Sequence, residues 1–352
     1  MTQTTSSRDV RAARASDDFD SLVAPLRREL LAHCYRMTGS VHDAEDALQE
    51  TWLRAWRALP QFEGRSSVRT WMYRIATRVC LTHLEGRGRR PLPVGLGGPP
   101  SDPAVEPVPD RSVPWLEPLP DRLLWGRADD DPEQRAVDGE SVRLAFVAAL
   151  QHLTAQQRAV LLLRDVLAWT AAEAAGTLGL SVAAVNSTLQ RARARMSGLQ
   201  AAPAPGALSA HQKELLRRYV AAFEAYDVPA IVALLTADVV WEMPPYRGWY
   251  RGQRAVGELI SRWCPATGPG SMRLLATSSN GLPSYGLYMR GADGRLQAFH
   301  LQQLTVGPDG VQRVTVWFEP GLFEACGLPP VAAPTSAVAG RAGVPAEGSA
   351  LD

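Results

Sequence analysis

Apolar residues recur at steps of three and four through two long stretches of this chain, 19–90 and 132–200, and alternate one by one in short runs of its last third. The first spacing lines one face of a helix and the second lines one face of a strand. The pattern therefore predicts two all-helical segments followed by an α+β one. Between the helical segments, residues 91–121 hold ten prolines, so 91–131 reads as a stiff, extended linker. The stretch AAPAPGALSA (201–210) is a second linker, leading into a third segment at 211–328. Residues 1–18 are polar and residues 329–352 are rich in Pro, Ala and Gly; both read as disordered.

Within the third segment, HQKELLRRYVAAFEAYD predicts an amphipathic helix with Leu215, Tyr219, Ala222 and Tyr226 on one face. PAIVALLT and QRAVGELISRW add two more helices. DVVWEM alternates, as do MRLLATSS, SYGLYMR, LQAFHLQQLTV and VQRVTVWF. The turn signals NGLP, GADG and GPDG separate the last four runs, which predicts an antiparallel meander.

The stretch DAEDALQETWLRAW, from residue 43, segregates its charges. At about 3.6 residues per turn, Asp43, Asp46 and Glu50 share one helix face, with Glu45 beside them. Ala44, Leu48, Trp52 and Ala55 fall on another face, suited to packing, and the tryptophans are expected to hold the domain together. Acids in the first turns also favour the helix dipole, so capping and solubility are the plain reading. The sharper one is a docking face for a basic partner.

Charge then changes the picture locally. The net charge is only +1, yet Gly64 to Arg90 holds seven arginines and one acid, Glu85. In FEGRSSVRTWMYRIAT a Gly-Arg-Ser-Ser loop leads into a helix carrying Arg69, Arg74 and Arg78. Cations interleaved with aromatics and loop hydroxyls suit a nucleic-acid strand whose bases are unstacked. Further on, a helix capped by Ser181 carries Val182, Val185, Leu189, Ala192 and Met196 on one side. Asn186, Ser187, Gln190, Arg191, Arg193 and Arg195 occupy the other. An apolar back and a polar-basic front make the recognition helix of a helix-turn-helix.

Together, DAEDALQETWLRAW and F-x-G-x-S-S-x-R-T-W-x-Y-R-I-A-T resemble region 2 of bacterial extracytoplasmic-function (ECF) sigma factors. The resemblance implies that Asp43, Glu45, Asp46, Gln49 and Glu50 meet the clamp helices of the RNA polymerase β′ subunit. It places Arg65, Ser66 and Ser67 in the loop that captures a flipped −10 base, with Arg69, Arg74 and Arg78 on the following helix. The helix-turn-helix resembles sigma region 4, which implies −35 reading by Ser181, Asn186, Ser187, Gln190, Arg191, Arg193 and Arg195. Family members usually carry a basic residue where Asn186 stands and often another at Thr188; their absence implies weaker phosphate anchoring, with an adenine edge as the alternative partner of Asn186, and leaves open which bases are read. The third segment resembles the SnoaL-like, NTF2-like cone fold, through its element order and the phrases YRGWYRG and FEPGLFEACGLP. WLEPLPD in the linker resembles the subset of ECF factors that carry this extension.

The expected whole is a multidomain protein, two all-α sigma domains plus an α+β cone, directing promoter-specific initiation under control of the fused domain. Two other classes compete: a helix-turn-helix regulator acting without polymerase, and a cone enzyme tethered to a DNA-binding module. In the cone, His300, Asp238, Trp241, Tyr246 and Tyr288 are the candidates for pocket chemistry, but no paired acid–base motif stands out, so no catalysis is assigned. A small-molecule ligand for the pocket stays open. The four cysteines, at 34, 80, 264 and 326, are widely spaced with no CxxC pair. No metal, no cofactor and a reducing cytoplasm are therefore expected. No run of eighteen apolar residues and no apolar signal core occur, so no membrane partner is expected.

Overall fold

The computed structural model describes residues 19–125, 142–197 and 208–333. The expected disordered N-terminus (1–18) and residues 334–352 of the expected disordered tail (329–352) lie outside the described residues. So do the last part of the first linker, the expected helical start at 132–141, and 198–207. Residues 329–333 are ordered instead: Val331 and Ala332 pair with Gln297 and Leu296, and the carbonyls of Pro329 and Pro330 accept from Tyr288 Oη and Ala298 N.

The first segment forms three helices, α1 (Arg27–Thr38), α2 (Val41–Ala58) and α3 (Val68–Leu84). Gly39 ends α1 in the left-handed region (φ 73°), and a Cβ there would come within 2.8 Å of Gln151 and 3.0 Å of Leu116. Ser40 then starts α2, its hydroxyl accepting from the Asp43 amide. The buried line of α2 runs Val41, Ala44, Leu48, Thr51, Ala55. Trp52 is only partly buried, one position off that line, and Trp56 is 52% exposed. The expectation that the tryptophans form the core is corrected: each sits about 100° round the helix from the buried line.

The second segment holds α4 (Leu144–Leu150), α5 (Ala155–Leu161), a π turn (Leu162–Val166), α6 (Ala171–Leu178) and α7 (Val182–Ser197). Capping boxes at Thr154/Gln157 and Thr170/Glu173 start α5 and α6, and Gly179 (φ 67°) ends α6. On α7 Val185, Leu189 and Ala192 are buried, but Val182 is 45% exposed. Helical side chains lean toward the N-terminus, so a residue in the first position leans off the end of the helix.

The third segment packs α8 (Ala210–Glu224), α9 (Val228–Ala233) and α10 (Gln253–Trp263) on a curved sheet. Its strands are β1 (Leu235–Glu242), β2 (Trp249–Arg251), β3 (Met272–Ser279), β4 (Leu282–Arg290), β5 (Leu296–Val306), β6 (Val311–Trp317) and the short β7 (Val331–Ala332), with α11 (Gly321–Ala325) before the last. The order is β2-β1-β6-β5-β4-β3, with β7 on β5. The runs β3 to β6 form the antiparallel meander, and β1 joins β6 in parallel. The helix α8 stops at Glu224, and Tyr226, at φ 51° in the turn beyond it, still packs on the apolar cluster that holds Leu215, Tyr219 and Ala222. Among the described residues no helix is long and apolar enough to cross a membrane.

The proline-rich segment is extended, and it is also docked. One apolar cluster joins α1–α7 to Leu116 and Leu119 of this segment and to Leu301, Trp317 and Leu322 of the third. At its centre Asn280, fully buried at the β3–β4 turn, sits at φ 52°. Its Nδ2 donates to Tyr35 Oη (3.0 Å) and to the Val142 carbonyl (2.6 Å), and its Oδ1 accepts from Leu119 N (3.0 Å). One side chain thus ties four parts of the chain together. Asn280→Gly should lower the unfolding free energy by about 2–4 kcal/mol, because buried partners lose their bonds. Asn280→Ala should cost about 1 kcal/mol more, the left-handed strain of a Cβ. Denaturant titration of both variants checks this; a Gly variant as stable as the parent would show that the side chain holds nothing.

Candidate functional site

The acidic face of α2 is divided by the fold. Asp43 is held by Arg87 (2.9 Å) and Arg90 (2.5 Å), and its carboxylate is mostly buried. Glu45 is partly buried, while Asp46 and Gln49 are exposed. Glu50 pairs with Arg54 at 2.7 Å, which holds its carboxyl below the usual range. Leu53 (50% exposed) and Trp56 continue the same line. The open stripe is therefore Asp46, Gln49, Glu50, Leu53, Trp56, at steps of three and one, which keeps them on one helix side. The apolar half of it was missed in the sequence because an exposed tryptophan has the same spacing as a buried one.

The N-terminus of α2 is held by a residue that the motif reading did not select. Glu117, from the proline-rich segment, accepts from Ser40 Oγ (2.7 Å) and meets His42 Nδ1 at 2.9 Å. Its backbone is fixed as well, Glu117 N donating to Gly39 O (3.0 Å) and Glu117 O accepting from Tyr35 Oη (2.8 Å). The hydrogen bond to Glu117 raises the His42 pKa, and the charges of Glu117, Glu319 and Glu45 add to this against partial burial. Burial pushes the Glu117 carboxyl up, but bonds from His42 and Ser40 bring it below its ordinary value.

On the basic side, Ser67 caps α3, its hydroxyl accepting from the Thr70 amide at 3.1 Å, so part of its bonding capacity is structural. Arg65 is exposed and paired with Glu63, and Ser66 is partly buried beside it. Phe62 and Trp71 stack with centroids 4.8 Å apart, fixing the loop on the helix. Arg69 pairs with Glu29 at 2.7 Å and lies over Tyr73. Arg74 is half-buried, and Arg78 donates through Nε to the Thr177 carbonyl of α6 at 3.1 Å. The basic helix of the first segment thus faces the helix-turn-helix of the second.

On α7 Ser181 caps the helix, accepting from Ala184 N at 3.1 Å. Asn186, Ser187, Gln190, Arg191, Arg193 and Arg195 are all exposed. Arg193 makes a two-pronged pair with Asp165 (2.6 and 2.9 Å), and Arg191 donates to the Thr188 hydroxyl. Thr188 is 5% exposed, so this position belongs to the packed side of the helix.

In the third segment the five candidates part company. His300, Trp241 and Tyr246 line one cavity of about 210 Å³. Asp238 is exposed on β1 and is not among the residues lining it. Tyr288 lies in a separate cluster with Phe323, its hydroxyl donating to the Pro329 carbonyl at 2.8 Å. No carboxylate among the described residues hydrogen-bonds His300. Among them, too, no group of three or more His, Cys, Asp or Glu is placed to hold a metal ion.

Comparison with known proteins agrees with this division. Residues 22–90 match sigma-70 region 2, residues 143–196 match sigma-70 region 4, and residues 216–317 match a SnoaL-like domain. Two helical sigma domains and a SnoaL-like α+β domain define the class. The chain is 54% identical over 318 residues to the ECF RNA polymerase sigma factor SigG of Mycobacterium tuberculosis, covering 89% of this chain and 84% of that one. It is 30% identical over 291 residues to SigJ of the same organism, covering 80% and 85%. The crystal structure of SigJ matches with a TM-score of 0.57 at 26% identity, over 89% of this chain and all of that one. This chain belongs to the ECF RNA polymerase sigma factors, with a SnoaL-like extension.

The His42–Glu117 contact should depend on pH from both sides. The raised His42 pKa means that its contribution is full below the ordinary imidazole value and lost as pH rises through the raised one. The lowered Glu117 pKa means that its contribution is lost as pH falls through that value. Attachment of the proline-rich segment to α2 should be firmest between about pH 4.5 and 6.5. The protection of the Glu117 amide, its exchange rate relative to the intrinsic rate at each pH, should be greatest in that window and should lose its fall on the alkaline side in His42→Gln.

Proposed function

We propose that this protein recruits core RNA polymerase through the exposed stripe of α2 and reads promoters with the loop at 62–67, α3 and α7. The observation that carries the docking assignment is the stripe itself. Asp46, Gln49, Glu50, Leu53 and Trp56 are solvent-facing along one side of a helix whose other side is core. Acids supply attraction to a basic partner and the two large apolar groups supply area to bury. Family membership supplies the partner, the clamp of the polymerase. The aromatic-basic surface of α3, with Arg65, Ser66 and Arg74, suits a melted −10 strand, and the front of α7 suits a −35 major groove. The work of such a protein is in the cytoplasm, with polymerase and DNA.

The cone is assigned a regulatory role and no catalysis. Elements named −10 and −35 lie about 25 base pairs apart, roughly 85 Å at about 3.4 Å per pair. Here α3 and α6 touch through Arg78 and Thr177, and the cone fastens both helical units and their connector through Asn280. The two readers cannot span a promoter in that arrangement, so the contacts of the cone favour an inactive state. Polymerase and DNA must outweigh them.

Asp46→Lys together with Glu50→Lys should abolish core polymerase capture while the circular dichroism spectrum stays that of the parent; capture by the folded double variant at parental affinity would sink the docking assignment. Asn280→Gly, which lies on neither proposed face, should leave polymerase capture intact. It should also raise transcription from the cognate promoter several-fold in a reconstituted assay, and equal or lower output would remove the inhibitory role of the cone.

A further inference from the structure

A cavity of about 500 Å³ lies where both helical segments, the proline-rich segment and the cone come together. It shares no lining residue with the pocket inside the cone. Small-molecule sites commonly measure about 300–1,000 Å³ and favour the seams between domains. Part of the wall is aliphatic, from Leu92 and Val94 of the proline-rich segment, Leu144 and Ala148 of α4, and Leu282 of β4. Among the described residues no Phe, Tyr or Trp lines it. The wall therefore offers apolar area but no aromatic stacking surface.

The polar part of the lining is unevenly charged, with Arg89, Arg90 and Arg313 against the single carboxylate of Glu242. Glu242 is fully buried and already engaged by Arg313 at 2.7 Å and by Val94 N at 3.3 Å. Arg90 shares Asp43 with Arg87, so one carboxylate serves two guanidiniums. Arg89 meets no carboxylate among the described residues; it donates to the Gly95 carbonyl at 2.8 Å and meets His152 Nδ1 at 3.1 Å. A guanidinium can only donate, so Nδ1 accepts and the ring proton of His152 sits on Nε2. Burial lowers the His152 pKa, and the charges of Arg89 and Arg195 lower it further, so the ring is neutral. A neutral partner does not compensate the charge of Arg89, whereas an oxyanion would. The cations remain accessible: Arg89 is exposed, and Arg90 and Arg313 are partly so.

We propose that this seam binds a small amphipathic anion, a carboxylate or phosphate group on an aliphatic body. The oxyanion lies against Arg89 and Arg90, and the body lies along Leu92, Leu144 and Ala148. The parallel N–H groups of arginine match two oxygens of either head group. A neutral molecule of the same shape leaves the charge of Arg89 as it is, and a cation is repelled. An occupant touches every unit of the protein at once, so its binding adds to whatever holds them together. With the cone acting as a brake, such an anion would favour the arrangement in which the two promoter readers lie close. This consequence rests on the regulatory reading of the cone, whereas the site itself does not.

Calorimetry on the full-length chain, without polymerase or DNA, tests the site with four probes below their aggregation limits. Octanoate and octyl phosphate carry both the aliphatic body and an oxyanion, 1-octanol has the body alone, and inorganic phosphate has the anion alone. The two amphipathic anions should bind at one site, and octanol and phosphate roughly tenfold or more weakly, the ordinary effect of a lost charged hydrogen bond or lost apolar burial. Binding of only one of the two anions would support the site and assign its head group. Arg89→Gln should weaken octanoate about tenfold and leave octanol unchanged. Ala148→Phe, which fills the cavity, should abolish binding while the circular dichroism spectrum stays that of the parent. Equal affinity for octanol and octanoate, binding of neither amphipathic anion, octanoate affinity unchanged in Arg89→Gln, or binding that survives Ala148→Phe would each overturn the proposal. No transcription enters this readout, so its failure would leave the regulatory reading standing. Unchanged transcription in Asn280→Gly would remove that reading and leave the site.

Discussion

Asn280 fills every hydrogen-bonding position of its side chain from a different part of the protein. Its two N–H donors reach Tyr35 in α1 and the Val142 carbonyl ahead of α4, and its oxygen accepts from Leu119 and from Gln303 on β5. Its own backbone N–H donates to the Leu119 carbonyl at 2.8 Å. A turn at φ 52° is what presents the amide in this way, and asparagine is among the few side chains that tolerate that region. Because the site is dry, each of these groups depends on the others for satisfaction. The apolar cluster around it, with Leu116, Leu119, Leu301 and Trp317, supplies cohesion. The amide network supplies the register in which three units meet.

From that junction the rest of the arrangement follows. Glu117, two residues before Leu119, reaches the first turn of α2, and Trp317 Nε1 donates to the Leu116 carbonyl at 2.8 Å. Glu242, fully buried on β1, pairs with Arg313 at 2.7 Å and accepts from Val94 N at 3.3 Å, fastening the start of the same segment. Proline suits this segment because it fixes φ and lacks an N–H that docking would have to satisfy. Several of the N–H groups that remain are used for docking: Ser101, Asp110, Leu116 and Glu117 all donate to carbonyls of other segments or of distant residues. A stiff strap, once bonded at several points, transmits a change at one of them better than a flexible chain can.

The cations proposed to meet nucleic acid are partly occupied within this structure. Arg69 rests on Glu29, Arg193 on Asp165, and Arg78 on a backbone carbonyl of α6. Exposed pairs of this kind are worth at most about 1 kcal/mol each. They are therefore easily exchanged for phosphates, and under the proposed regulatory role the resistance to separating the units would come from the buried junction.

The helical segments and the meander were legible because each depends on short-range rules. Periodicity set the faces of α2 and α7, Ser181 marked where α7 begins, and the joint motif around α2 and α3 pointed to sigma region 2. What the chain could not reveal by itself is which of two chemically equal residues is used. Asp43 and Asp46 lie on one helix face, yet only tertiary contacts give Asp43 to Arg87 and Arg90 and leave Asp46 open. Trp52 and Trp56 share a spacing, yet only packing buries more of one than of the other. His300 and Trp241 are 59 positions apart on β5 and β1, and only the order of the sheet, with β6 between those strands, brings both to one cavity. Asn280 read as a turn residue, which it is; its other partners lie 23 to 245 positions away along the chain, a distance that no local pattern records.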